Sequence, residues 1–147
     1  MIQIIDNFLD ADDLKMIQTF SLEQAHYVPA FFEDTTEKTK ENFYGNRFYL
    51  KSHPKIFNKL IGVSQKKFKI KIHKVCEGSG IDQRNLDHFK PHRDNAKINI
   101  LIMIHGPTAI TNGTVFYTDN DLDIHVGFRE NRAVMFPSNY MHSQHAM

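Results

Sequence analysis

The 147-residue chain contains one cysteine, Cys76, and no tryptophan. A single cysteine excludes a disulfide framework or a multi-cysteine zinc site within one chain. The longest apolar run, Ile100–Ile104, is far shorter than the roughly 20 residues that a membrane-spanning helix needs. Met1–Asp6 has no basic segment followed by an apolar one, so no signal peptide is expected. These absences predict a cytoplasmic globular protein.

An excess of charge of one sign is also missing. Eighteen basic and 17 acidic residues leave a formal net charge of +1. Binding to nucleic acid or to an acidic membrane surface calls for clustered positive charge. We therefore expect neither a nucleic-acid nor a membrane partner, and a small-molecule or peptide substrate is the expected ligand.

Helical signals and polar stretches dominate the first 66 residues. Ile2–Ile5 predicts a short strand, and Asp10 or Asp12 can cap an amphipathic helix. Residues 29–46 are polar and predict a mobile loop. Pro54 is suited to the first turn of a second helix. We expect this N-terminal part, about residues 1–66, to be mostly helical.

Beyond residue 66 the pattern changes to that of strands, with period-two alternation and turn residues at short intervals. The expected strands are residues 67–73, Leu86–Pro91, Ile98–Ile104 (read as continuously apolar), Thr114–Tyr117, Leu122–Phe128, Arg132–Phe136 and Tyr140–Ala146. The pattern predicts a single, mainly β domain of the α+β type. Its core, about residues 67–147, would be a cupin-like jelly roll with N-terminal helices.

The chemistry-bearing feature is the triplet His92-Arg93-Asp94, with His142 following 48 residues after Asp94. Residues two apart on a strand share a face, so His92 and Asp94 can bind one ion. Two imidazoles and one carboxylate can occupy one face of a divalent metal and leave the other positions open. Non-haem Fe(II) oxygenases use such a set. His92, Asp94 and His142 are thus the predicted metal and catalytic residues.

Other assignments remain open, because a bare His-x-Asp is common by chance in a chain with nine histidines. His145 is the rival third ligand, although it would face away from His142 on a strand. His88 and His92 converge only on a helix, which Pro91 argues against. Histidines expected to be packing or surface residues are His73, His105 and His125. Cys76 is expected to be a small buried hydrophobe.

Residues 86–145 resemble the Fe(II)/2-oxoglutarate-dependent oxygenases, specifically the prolyl 4-hydroxylase-like branch. Phe89–Asp94 is similar to their aromatic-x-x-His-x-Asp segment, and Asn112–Tyr117 to their Gly-Gly-Thr-x-Phe-Tyr segment. Asn131–Ser138 followed by His142-Ser143 resembles their distal strand and histidine, and Ile4–Leu9 resembles the usual opening. The resemblance implies a double-stranded β-helix, with iron held by His92, Asp94 and His142 and chelated by 2-oxoglutarate. It also suggests a phage or marine bacterial origin.

One departure concerns the far carboxylate of 2-oxoglutarate. The family pairs it with an arginine or lysine about ten residues after the distal histidine, whereas Met147 is five residues after His142. We expect one of two explanations. Either the gene is longer and only C-terminal residues are lacking from this sequence, or Lys97, Arg129 or Arg132 anchors the far carboxylate. A missing last strand would expose a sheet edge. The segment Ile2–Ile5 or a second copy in a homodimer would cover it, and 2-oxoglutarate would bind weakly.

The preferred function is an Fe(II)- and 2-oxoglutarate-dependent dioxygenase that hydroxylates a prolyl or other peptide, or a small molecule. Residues 29–46 and the insertion Gly78–Asp87 are the expected substrate covers. One alternative is a cupin-like metal-binding protein with another reaction or none. The other alternative is a non-enzymatic jelly-roll module in which the triad is coincidental.

Overall fold

A computed structural model of the chain describes residues 1–31, 43–83, 91–117 and 123–145. These residues form a mainly β structure with three small antiparallel sheets and few helices. The helical segments are α1 (Ala11–Thr19) with a π-helical turn (Phe20–Gln24), a 3₁₀ turn (Leu50–Ser52) and α2 (Pro54–Phe68). The strands are β1 (Gln3–Ile5), β2 (Val28–Phe31), β3 (Phe43–Tyr49), β4 (Gly80–Gln83), β5 (Ile98–Met103), β6 (Ala109–Tyr117), β7 (Asp123–Phe128), β8 (Arg132–Pro137) and β9 (Met141–His145).

The first sheet has the strand order β1-β8-β5, the second has β7-β6-β9 and the third has β2-β3-β4. In addition, His92 forms an isolated antiparallel bridge with His142 of β9. Because β6 pairs with the other side of β9, the His92 segment extends the second sheet at this point. The chain therefore brings His92 and His142 side by side although 50 residues separate them in sequence.

Strand β8 organises the core because it buries side chains on both faces. Ala133 and Met135 pack with apolar residues of the helical layer. Val134 and Phe136 point the other way and pack with Phe116 of β6. Period-two alternation therefore makes the first sheet a middle layer, between the helices and the second sheet. The strands predicted at 98–104, 132–136 and 140–146 correspond to β5, β8 and β9, and this part of the prediction is confirmed.

Strand β6 begins earlier than the predicted Thr114 and reaches back to Ala109. The register with β7 shifts between Ala109 and Gly113, and Gly113 has φ +146°. A Cβ at Gly113 would overlap the carbonyl of Val126 on β7, so only glycine permits this close pairing. Because of this irregularity, the first half of the strand does not show the simple alternation of apolar and polar residues that predicts a strand.

The strand predicted over residues 67–73 is wrong. Phe68 ends helix α2, whose first turn contains Pro54 as expected. Lys69 then adopts a left-handed conformation with φ 55°, and no regular element covers Ile70–Cys76. Phe68 is buried with its ring 5.6 Å from that of Phe8. The residues that alternate therefore belong to the end of a helix and to the irregular chain after it. The pattern is too short to distinguish this arrangement from a strand.

The N-terminal part is less helical than predicted, because it also contributes strands. The mobile loop predicted over residues 29–46 is wrong at both ends, where β2 and β3 pair with each other. Strand β4, within the expected cover Gly78–Asp87, pairs with β3. Arg47 bonds Asp82 through two side-chain contacts of 2.6 and 3.0 Å, which ties these strands together. Residues 32–42 and 84–90, including most of the strand predicted at Leu86–Pro91, lie outside the described residues.

Two further expectations concern single features. Cys76 is exposed, so its prediction as a buried hydrophobe is wrong. The predicted N-terminal strand is β1, which pairs with β8 and so covers one edge of the first sheet.

Neither helix in the described part of the chain has the length and apolarity to cross a membrane.

An ion pair fastens the N-terminal segment to β8. The guanidinium of Arg132 donates two hydrogen bonds to the Asp6 carboxylate, at 2.7 and 3.1 Å. The hydrogen bond from Arg132 is the main cause that holds the pKa of Asp6 below its ordinary value of 3.8. A carboxyl group with a lowered folded-state pKa stabilises the fold above its unfolded-state pKa. This stabilisation is lost as the pH falls through the folded-state pKa.

We expect Asp6→Asn to lower the free energy of unfolding by about 0.5–1 kcal/mol at pH 7, a magnitude set by solvent screening of this partly exposed pair. The difference from the parent protein should shrink as the pH falls below 4. Urea unfolding at pH 7 and pH 3 measures both values. Asp123→Asn, which changes an exposed aspartate at the start of β7, away from any helix N-terminus, is the control. A deficit that stays constant across this pH range would contradict the role of the ionised Asp6.

Candidate metal centre

Backbone hydrogen bonds place the three predicted ligands. His92 and His142 exchange both of their backbone hydrogen bonds, each 2.9 Å long. The N–H of Asp94 donates to the carbonyl of Ser138 at 3.1 Å. Ser138 in turn donates its own N–H to the carbonyl of Lys97 at 3.2 Å, just before β5. The turn after β8 therefore holds the His92–Asp94 segment against the start of β9.

The donor atoms of His92, Asp94 and His142 all lie within 4.8 Å of one another. The Nε2 atom of His92 is 3.5 Å from Asp94 Oδ1, and His142 Nε2 is 3.2 Å from Asp94 Oδ2. An ion about 2.1 Å from each donor would separate neighbouring donors by about 3.0–3.4 Å. The two nitrogen–oxygen spacings, each to a different oxygen of Asp94, are close to these values. The cluster could therefore hold a divalent metal ion with small side-chain adjustments.

The tautomer of His142 suits this role. Its Nδ1 atom lies 3.0 Å from the carbonyl oxygen of Tyr140. A carbonyl only accepts hydrogen bonds, so Nδ1 carries a proton, and Nε2 is the ring atom that faces Asp94 and that loses its own proton when a metal ion binds. Second-layer hydrogen bonds of this kind orient metal-binding histidines and increase their basicity.

Aromatic side chains form one wall of the site. The Phe136 ring meets the His142 ring edge to face at 4.9 Å between centroids, and Phe116 meets Phe136 at 4.7 Å. His142 is 8% exposed, and Phe116 is fully buried. This wall fixes the imidazole plane and shields one side of the cluster from water. His92 and Asp94 are only partly buried, so the opposite side is accessible.

Burial by itself raises the pKa of the Asp94 carboxyl. The hydrogen bond and charge of His142, the charge of His92 and a hydrogen bond from Asn99 outweigh it, and together they hold that pKa below its ordinary value of 3.8. Asp94 is therefore ionised at neutral pH. It supplies the one negative charge of the three-residue cluster, as a ligand for a divalent cation requires.

The predicted convergence of His92, Asp94 and His142 is confirmed. The other histidines differ in outcome. His73, His105 and His125 are exposed and lie outside the cluster. His88 lies outside the described residues. His145 ends strand β9, but its side chain is outside the described part of the structure.

Sequence reasoning missed the residues that support the ligands. Ser138 and Tyr140 act through backbone carbonyls, which leave no mark on residue type. Asn99 did leave a signal, because it is the only polar residue of β5. Asn99 was overlooked when Ile98–Ile104 was interpreted as a continuously apolar segment. The side-chain amide of Asn99 donates to Asp94 Oδ2.

The three candidate anchors for 2-oxoglutarate lie in different places. Arg132 and Arg129 both face Asp6, at 2.7 and 3.7 Å. Arg132 begins β8 and Ser138 follows its end, so at roughly 3.3 Å per residue they lie about 20 Å apart. This separation disfavours Arg132 as an anchor beside the cluster. Lys97 is exposed, and its backbone lies at the metal end of β5.

Comparison of the chain with protein-family models, with curated proteins and with solved structures found no match in any of the three.

Proposed function

We propose that the protein is an Fe(II)- and 2-oxoglutarate-dependent dioxygenase that hydroxylates a peptide or a small molecule. The observation that carries the proposal is that two imidazole nitrogens and a carboxylate oxygen lie within 4.8 Å of one another. This donor set occupies one face of an ion and leaves further positions for a chelating co-substrate and O₂. The resemblance of residues 86–145 to the prolyl 4-hydroxylase-like oxygenases supports the same chemistry.

The strand arrangement supports a double-stranded β-helix as the fold behind this site. Along the chain, β5 lies in the first sheet, β6 and β7 in the second, β8 in the first again and β9 in the second. The two sheets share an apolar cluster that includes Met103, Phe116 and Val134. Winding between two facing sheets is the pattern of a jelly roll.

In this proposal His92, Asp94 and His142 hold the iron, and each has a defined support. The carbonyl of Tyr140 keeps the His142 Nε2 lone pair available. The Phe136 ring packs against the His142 imidazole and limits water on that side. The iron, with 2-oxoglutarate and O₂, would supply the oxidation of a C–H bond to C–OH: one oxygen atom of O₂ would enter the product and the other would enter succinate, formed from 2-oxoglutarate with release of CO₂. The protein contributes orientation and a partly dry pocket.

The deciding experiment is an anaerobic titration of 2-oxoglutarate into the Fe(II)-loaded protein, followed by visible absorption. Chelation of the iron by the keto acid should give a charge-transfer band, and succinate should form once O₂ is admitted. Arg129 and Arg132 both face Asp6 and so do not serve as partners for the far carboxylate of 2-oxoglutarate. We therefore expect the titration to show weak binding of 2-oxoglutarate. Absence of the band at saturating 2-oxoglutarate would refute the dioxygenase assignment.

One observation favours a second candidate, a cupin-like metal protein with a different reaction. Two of the three basic residues considered for the far carboxylate pair with Asp6 instead. In that case the protein should bind Fe(II) or Ni²⁺ without any spectral response to 2-oxoglutarate, since such N/O sites select metals only weakly. The same titration therefore separates the two candidates.

A further inference from the structure

We propose that Asn99 is a positioning residue that fixes the rotation of the Asp94 carboxylate and so determines how many of its oxygens bind the ion. Its amide nitrogen donates a hydrogen bond to Asp94 Oδ2. Oδ2 also lies 3.2 Å from His142 Nε2, and Oδ1 lies 3.5 Å from His92 Nε2, so each histidine faces a different oxygen of the carboxylate. This inference rests on metal binding at the cluster, but it does not depend on the oxygenase reaction.

The orientation of the amide follows from electrostatics. The alternative orientation would place the amide oxygen of Asn99 against a carboxylate oxygen, and two acceptors repel each other. With the nitrogen toward Asp94, the bond has a charged acceptor and belongs to the stronger class of hydrogen bonds. Asn99 is partly buried, which reduces competition from water.

The fold holds Asn99 in place independently of the metal. It pairs with Phe136 across the β5–β8 ladder, and Phe136 packs on His142. Its side chain lies on the same face of β5 as Met103, four residues later, which faces the second sheet. The backbone N–H of Asp94 is bound separately, to Ser138. Asp94 is thus held at its backbone and at one carboxylate oxygen.

The consequence concerns the coordination number. A carboxylate that is free to rotate can bind a cation through both oxygens and would occupy a fourth position. A carboxylate held by Asn99 cannot turn freely, and the hydrogen bond makes Oδ2 a weaker ligand atom than Oδ1. In a six-coordinate ion, the two histidines and one Asp94 oxygen then leave three positions open, enough for a bidentate ligand and one small molecule.

The test uses Co²⁺, whose visible bands respond to coordination number, with the metal-free full-length chain. Asn99→Leu removes the donor at similar volume and should weaken Co²⁺ binding by about 10–100-fold, as is usual for supports of metal ligands. At saturating Co²⁺ its spectrum should differ from that of the parent, because Asp94 then binds through both oxygens. Asn99→Thr retains a donor and should recover most of the affinity and the parent spectrum.

Asn46→Leu is the matched control, since Asn46 lies on β3 in the third sheet, outside the cluster. It should leave both the affinity and the spectrum unchanged. Weaker binding by Asn99→Leu with an unchanged saturated spectrum would show a purely structural role and overturn the proposal. Unchanged binding and spectrum would overturn it as well. If the parent protein binds no Co²⁺, both this proposal and the metal centre of the proposed function fail, whereas a failed 2-oxoglutarate titration alone leaves this proposal intact.

Discussion

Replacing Asp94 by alanine is expected to lower the affinity for Fe(II), or for Ni²⁺ as its substitute, by more than about 100-fold. Loss of an outer hydrogen-bond partner already costs 10–100-fold, and Asp94 is the only anionic donor of the cluster. Two neutral imidazoles would remain to hold a divalent ion. Isothermal titration calorimetry of the metal-free protein measures the change, and elemental analysis after purification gives an independent value.

The control for this substitution is Asp123→Ala. Asp123 begins β7 and pairs with Tyr117, so it lies on the same sheet as His142 but is exposed and outside the cluster. Its removal changes the net charge equally and should leave metal affinity within about twofold, as expected for a charge screened by solvent. Equal metal binding by Asp94→Ala and the parent protein would refute the metal centre.

The ligand triad could be predicted from the sequence because its elements follow local rules. His92 and Asp94 share a face through period-two geometry. His142 was expected beside them from the predicted jelly-roll winding and from a family resemblance, and the structure joins His92 and His142 through a backbone bridge. The strands with long apolar runs, β5 and β8, were likewise predictable, since they pair with each other in the middle layer of the fold, where a strand can be apolar on both faces.

The parts that were not predictable depend on tertiary context. The third sheet contains short strands such as β2 and β4, whose few residues show no clear alternation. The support of Asp94 by Asn99 depends on how β5 is aligned with the turn after β8, which spacing along the chain does not encode. The carbonyl of Tyr140 acts without its side chain, so any residue type there could serve.

The largest stability effect is expected at Asn131, which joins the N-terminal segment to the loop before β8. Its side chain accepts a hydrogen bond from the Leu9 N–H at 2.8 Å and donates one to the Leu9 carbonyl at 2.9 Å. Its backbone has φ 65°, a left-handed conformation that asparagine tolerates better than most residues. Leu9 and Asn131 are both buried, at 3% and 8% exposure.

We expect Asn131→Ala to lower the free energy of unfolding by at least about 3 kcal/mol. Each buried backbone group of Leu9 that loses its partner costs about 1–3 kcal/mol, and alanine in the left-handed region adds about 1–2 kcal/mol. Folded domains are stable by only about 5–15 kcal/mol in total. This single change therefore removes a large share of the stability. Urea unfolding followed by circular dichroism measures the loss.

Asn131→Gly separates the two causes, because glycine adopts the left-handed conformation without strain but supplies no side chain. It should recover about 1 kcal/mol of the loss in Asn131→Ala and leave the remainder. Asn58→Ala, at an exposed position of α2, should change stability by less than about 0.5 kcal/mol. A stability of Asn131→Gly equal to that of the parent would show that backbone conformation alone makes Asn131 necessary. The paired hydrogen bonds to Leu9 would then contribute nothing to holding the N-terminal segment against the sheet.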